Sequence, residues 1–157
     1  MDMDRILIVD DEKSIRLMLS DFFTSCGYEV VTAEDGEDAL KKFVPGMFDC
    51  VISDLMMPKI DGMELLRRIR IQDRQVCFLM ITGYPNIDSA INAIKEGADD
   101  YVNKPFHMED IRIKVERIVD TKKAKKALKK MAGIFWAVII SIPIWLILGI
   151  ILGLIWK

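Results

Sequence analysis

The 157-residue chain has little cysteine, almost no histidine, and no acid at all beyond Asp120. Its three cysteines, Cys26, Cys50 and Cys77, are scattered and odd in number, with no C-x-x-C or Cys/His spacing. That argues against zinc and predicts buried thiols in a reducing compartment. The one histidine, His107, reads as an exposed residue near a helix start, with no evident partner. The opening "MDMDRILIVD" lacks the basic start and longer apolar core of a secretory leader, so none is predicted. No Gly/Ser-rich linker interrupts residues 107–132, and no repeat is present beyond a strand–helix alternation.

Charge is unevenly placed. Residues 1–120 hold 15 Lys+Arg against 24 Asp+Glu, a net of −9, whereas residues 121–157 hold 7 Lys and no acid, a net of +7. Such asymmetry marks a basic segment that meets nucleic acid or an anionic membrane. Within the acidic part, short apolar runs alternate with amphipathic stretches. "RILIVDD" (5–11), "EVVTA" (29–33), "CVISD" (50–54), "VCFLMIT" (76–82) and "DYVN" (100–103) read as strands. Helices are predicted over 13–26, ended by Gly27, over 36–43 with a cap near Asp35, and over roughly 63–71. Two more follow, one carrying Ile87, Ala90, Ile91 and Ile94 and ending at Gly97, the other starting near Met108. In the last helix Ile111, Val115, Ile118 and Val119 form one stripe and Ile113 lies roughly opposite it. This alternation predicts an α/β fold with a five-stranded parallel sheet covered by helices on both faces.

Acids sit where strands end: Asp10 and Asp11 after the first, Asp54 after the third. In an open parallel sheet, ligands bind at the carboxyl ends of strands near the switch in strand order. If the first and third strands are neighbours, the three carboxylates converge. Two carboxylates about 5 Å apart repel by roughly 3 kcal/mol at an effective dielectric near 20. The cluster therefore needs a counter-charge, which Mg²⁺ supplies with few carboxylate oxygens and several waters or phosphate oxygens. Lys104, after the fifth strand, adds a positive charge, and Thr82, ending the fourth, adds a hydroxyl. Acids, hydroxyl and ammonium at strand ends suggest a site for phosphoryl chemistry.

Four strings carry a family resemblance. "DLMMPKIDGMELL" (54–66) resembles the receiver-domain signature of response regulators, and "IVDDE" (8–12), "MITGY" (80–84) and "GADDYVNKPF" (97–106) resemble its other motifs, in order and spacing. The resemblance spans residues 4–120. It implies a flavodoxin-like sheet of order 2-1-3-4-5. It implies Asp54 as phospho-acceptor, taking phosphate from a sensor histidine kinase or a histidine phosphotransfer protein. Mg²⁺ would be held by Asp10, Asp11, Asp54 and the Met56 carbonyl. Lys104 would pair with the phosphoryl oxygens, while Thr82 would close on the acyl phosphate and Tyr101 would change rotamer with it. A cis peptide bond before Pro105 is also implied. The charge gained would bias a two-state surface around the fourth helix, fifth strand and fifth helix. Such a protein is a switch that catalyses only its own phosphoryl transfer and dephosphorylation, not a turnover enzyme on a foreign substrate.

The end of the chain carries no recognisable output domain. "KKAKKALKK" (122–130) places six lysines in nine positions, and "GIFWAVIISIPIWLILGIILGLIW" (133–156) has no charged residue. Twenty-four helical residues reach about 36 Å, against a hydrocarbon core of about 30 Å. Trp136 and Trp156 stand near the two ends, and Pro143 is tolerated within membrane spans. The expectation is a receiver over 1–120, a basic juxtamembrane segment over 121–132 and a transmembrane helix over 133–157. The lysines before the apolar run place the receiver in the cytoplasm on anionic lipid, with the bilayer a partner and no nucleic acid bound. Gly149 and Gly153, with Ser141 on the same stripe, offer a homodimer contact, as does the receiver face. Competing expectations are a phosphate sink or relay intermediate without its own output, and an unphosphorylated structural adaptor. The intact acids and Lys104 argue against the adaptor.

Overall fold

The computed structural model describes residues 4–83 and 87–155, with side chains except at 126, 129–130, 133–138 and 141–155. The chain divides into two compact units, Met1–Asp120 and Thr121–Lys157. In the first unit the strands are β1 (Arg5–Val9), β2 (Glu29–Ala33), β3 (Cys50–Asp54), β4 (Cys77–Thr82) and β5 (Asp100–Asn103). Between them run α1 (Lys13–Ser25), α2 (Gly36–Lys42), α3 (Gly62–Gln72) and α4 (Ile87–Lys95), and α5 (Met108–Ile155) follows β5. All pairings are parallel and the order is β2-β1-β3-β4-β5, as the resemblance implied.

The apolar runs become strands because both their faces are covered. Leu7, Val9, Val51, Phe78 and Met80 pack with Leu65, Leu66, Ile69 and Ala93 of α3 and α4. Their alternates Ile6, Ile8, Ile52, Leu79 and Ile81 pack with Leu19 and Phe23 of α1 and Ile111 and Val115 of α5. A fully buried side chain of this size contributes roughly 1.5–3 kcal/mol relative to exposure. A polar residue in mid-strand would thus disrupt one of two apolar layers. The helices stop where expected: Gly27 and Gly97 take φ of 90° and 105°, a left-handed conformation that ends a helix without a Cβ clash. Ile113 is exposed, on the opposite side of α5 from the Ile111–Val115 stripe.

β1 hydrogen-bonds to β2 on one side and to β3 on the other. The connections after β1 and after β3 therefore depart in different directions and leave a crevice at their carboxyl ends. Asp10 and Asp54 lie at its rim.

Two expectations are corrected. Cys50 and Cys77 are buried, but Cys26 is exposed, because it caps the end of α1 just before Gly27 and faces solvent. The single-pass membrane location is also overturned: among the described residues, no helix is long and apolar enough to cross a membrane. A span needs about 20 consecutive apolar residues. The described side chains of α5 are instead an amphipathic stretch to Asp120, then a stretch interrupted by Lys122, Lys123 and Lys125. The bilayer loses its support as a partner with that finding. The contacts expected of Trp136, Ser141, Pro143, Gly149, Gly153 and Trp156 lie outside the described side chains.

Candidate functional site at the carboxyl end of the sheet

The site is built from strand ends. Asp10 follows β1 directly, and its backbone N–H donates to Ala33 O at 3.3 Å, which extends the β1–β2 pairing one residue past Val9. Its side chain is buried; Oδ1 accepts from the Glu12 N–H at 2.8 Å and Oδ2 from Lys104 Nζ at 2.9 Å. Burial pushes the Asp10 carboxyl above its ordinary range, against the opposing pull of Lys104. Asp11 is exposed beside it. Arg16, one turn into α1, holds this loop by donating to the Asp10 and Asp11 carbonyls at 2.6 and 3.0 Å.

Asp54 ends β3 and is also buried. Its Oδ1 accepts from the Met56 N–H at 3.1 Å and its Oδ2 from Lys104 Nζ at 2.6 Å. The next residue is fixed to the sheet, Leu55 N–H donating to Ile81 O at 2.8 Å. Gly62 N–H closes the β3–α3 loop on Leu55 O at 2.9 Å. A Cβ at Gly62 would fall 2.2 Å from Asp54 O, so only glycine permits that approach.

Lys104 lies just past β5, its N–H tied to Thr82 O at 2.6 Å, and the Lys104–Pro105 peptide is cis. Burial works to lower its pKa, but the hydrogen bonds to Asp54 and Asp10 together hold it above the ordinary lysine value. Thr82 is fully buried at the end of β4. Tyr101, on β5, is partly buried, and the Thr82 side chain lies close enough to its hydroxyl to pull the phenol's pKa down against burial. Burial raises the phenol's pKa.

Asp10, Asp11 and Asp54 can each turn an oxygen toward one point, these atoms all lying within 4.8 Å of one another. Two buried acids and one exposed acid, all oxygen donors, fit a hard divalent cation that keeps waters or phosphate oxygens. The structure thus brings together Asp10, Asp11, Asp54 and Lys104, with Met56 joined through its N–H. Thr82 is placed on the adjoining strand end and Tyr101 one strand further. Two participants escaped the sequence reading. Arg16 was detectable only as an arginine one turn after an Asp pair. Lys59, on the site's β3–α3 loop, pairs with Asp35, a contact between residues 24 apart in the chain.

Fold and site define an α/β protein whose chemistry gathers acids, ammonium and hydroxyl at one end of a parallel sheet. Residues 6–116 match the response regulator receiver domain, and the chain belongs to that family. A receiver domain structure from Clostridium thermocellum is 33% identical, with a TM-score of 0.73, over 78% of this chain and 98% of that one. The response regulator TrrA of Thermotoga maritima, solved in complex with Mg²⁺-BeF, is 40% identical, with a TM-score of 0.67, over 74% and 99%. The probable transcriptional regulator ycf27 of Guillardia theta is 42% identical over 116 residues, 74% of this chain and 45% of that protein. The alkaline phosphatase synthesis regulator PhoP of Bacillus subtilis is 38% identical over 115 residues, 73% and 48%. This chain spans just under half the length of those two relatives. Both of those relatives are named as transcriptional regulators.

Proposed function

We propose that the protein accepts a phosphoryl group on Asp54 from a phosphohistidine, on a sensor kinase or a phosphotransfer protein, and changes its surface in response. The observation that carries this reading is the Lys104 ammonium, 2.6 Å from Asp54 Oδ2 and 2.9 Å from Asp10 Oδ2, beside a three-carboxylate cluster. An Asp54 oxygen attacks phosphorus; the new P–O bond forms as the P–N bond breaks, and the imidazole leaves with the electron pair. Charge then has to be held more than chemistry has to be done. Lys104 stays with the added phosphoryl oxygens, and the Thr82 hydroxyl donates to them from the neighbouring strand end. Asp10, Asp11, Asp54 and the Met56 carbonyl are the groups that would hold Mg²⁺, an ion that neutralises phosphoryl oxygens when bound.

Movement of Thr82 toward the phosphoryl group gives the Tyr101 ring room to turn, which couples the site to the face made by α4, β5 and α5 as far as Asp120. A cavity of about 460 Å³ on that face is lined by Tyr101, Phe106, Ile113, Lys114 and Arg117. We assign this face to partner binding or self-association, and the receiver to residues 1–120. The relatives named as transcriptional regulators have more than half their length beyond the matched segment, and what that remainder does belongs to them. The full chain, incubated with a small acyl phosphate donor and Mg²⁺, is expected to take up one phosphate that Asp54→Asn does not. Equal labelling of the two proteins would sink the assignment.

A further inference from the structure

The β3–α3 loop carries a second anchor, remote from the carboxylate cluster. Lys59 has a φ of 65°, the one non-glycine with positive φ among the described residues. Glycine or asparagine suits that conformation; a lysine gains nothing from it locally. What the conformation does is aim its side chain at α2. Lys59 Nζ lies 2.5 Å from Asp35 Oδ2, the carboxylate being buried while the lysine is half exposed. Asp35 is the N-cap of α2, and its other oxygen accepts from the Asp38 N–H at 2.8 Å. The lysine and that amide hold the Asp35 carboxyl below its ordinary range, so it remains an anion. The next residue reinforces the contact. Ile60 packs so tightly on Gly36 that a Cβ there would fall 2.5 Å from Ile60 O.

The loop clasped in this way is the one that orients Asp54. Lys59 lies three residues after Met56, whose N–H holds Asp54 Oδ1, and Pro58 stiffens the segment between them. At its far end the loop is closed by Gly62 on Leu55 O. Oδ2 of Asp54 is fixed by Lys104, but nothing in the sheet fixes Oδ1; that falls to the loop. We infer that Lys59 is a positioning residue for phosphoryl transfer: its ion pair with Asp35 fixes the loop that presents the Met56 N–H to Asp54. The inference rests on Asp54 being the phospho-acceptor. It assigns a task to two residues outside the carboxylate–lysine cluster, and makes the N-terminus of α2 part of the support of the site.

The test uses the full chain with a small acyl phosphate donor at saturating Mg²⁺, comparing Lys59→Met, Lys59→Gly and Lys59→Arg. Loss of the clasp is expected to slow labelling roughly tenfold or more, since small misplacements of a reacting group have effects of that order. The loss should appear in the maximal rate more than in the donor concentration for half-saturation, and the Met56 amide resonance should shift. Lys59→Arg, which keeps the ion pair, should restore both. Lys59→Gly relieves the left-handed backbone while removing the ammonium, so it keeps the test valid if Lys59→Met does not fold. Parent-like rates and an unmoved Met56 resonance in Lys59→Gly would overturn the inference. Asp54→Asn, run alongside, separates the two ideas. If it still labels, the acceptor assignment fails; if it is silent while Lys59→Gly labels normally, only the clasp fails.

Discussion

Lys104 holds together two buried carboxylates that would otherwise repel. Its side chain is 17% exposed, against 2% for Asp10 and 8% for Asp54, so water screens the trio little. The Asp10 carboxyl is nevertheless raised above its ordinary 3.8, because burial outweighs the lysine. The folded protein therefore binds that proton more readily than the unfolded chain does. Asp10's contribution favours the fold at low pH and is lost as pH rises from 3.8 through its folded value. Lys104 behaves oppositely in origin: held above its ordinary 10.5, it contributes below that value and loses its contribution only as pH rises through its folded pKa. Replacing it by methionine leaves two uncompensated buried acids. Removing one partner from a buried pair costs about 3–5 kcal/mol, and partial exposure places this case near the lower end. Urea unfolding of Lys104→Met should show a larger deficit near pH 8 than near pH 3.8, the ordinary value above which Asp10 is held, because protonating Asp10 relieves the repulsion. Equal deficits at the two pH values would contradict the account.

At the scale of elements, much was readable from local pattern. Continuous apolar runs gave the five strands, and Gly27, Gly97 and Asp35 marked helix ends by conformational or capping chemistry that operates within a few residues. Strand order was not readable that way. Parallel strands present similar runs to either neighbour, and pairing is decided by distant packing; the order came from the resemblance. The Lys59–Asp35 clasp was hidden for a related reason. Asp35 was visible as a cap, but its partner is defined only once a left-handed residue in another loop turns toward it. Cysteine burial failed at a helix end, where one residue separates a packed turn from solvent. That distinction is measurable. Cys50 and Cys77 sit opposite each other in the β3–β4 register, both fully buried, while Cys26 is exposed. A maleimide should modify Cys26 alone in the native protein and all three thiols in denaturant. Rapid native modification of Cys50 or Cys77 would mean that β3 and β4 separate far more readily than their burial implies.

On the scale of the whole molecule, residues 1–120 carry a net charge of −9, and part of that negative charge is concentrated at one end of the sheet. The convergence of Asp10, Asp11 and Asp54 was foreseen from acids at strand ends, while the span expected beyond Ala132 came from composition and does not hold among the described residues. An acidic cluster preformed in the fold and dispersed in the unfolded chain must link cation binding to stability. A ligand that binds only the folded state at 100 times its Kd adds about 2.7 kcal/mol. For a unit of this size that is on the order of 10 °C in Tm. Saturating Mg²⁺ should raise the unfolding temperature of the receiver by several degrees, and a chelator should reverse it. Matched ionic strength from NaCl should not reproduce the rise, because screening acts on all surface charges and recruits no carboxylate oxygens. Asp11→Asn isolates the contribution of the exposed acid, which makes no ion pair with Lys104 and whose removal leaves the Asp10–Lys104–Asp54 contacts in place. That variant should unfold near the parent temperature without Mg²⁺ and lose most of the Mg²⁺-dependent increment. If Asp11→Asn kept the full increment, the ion would be bound elsewhere and the three-carboxylate site would lose its claim to it.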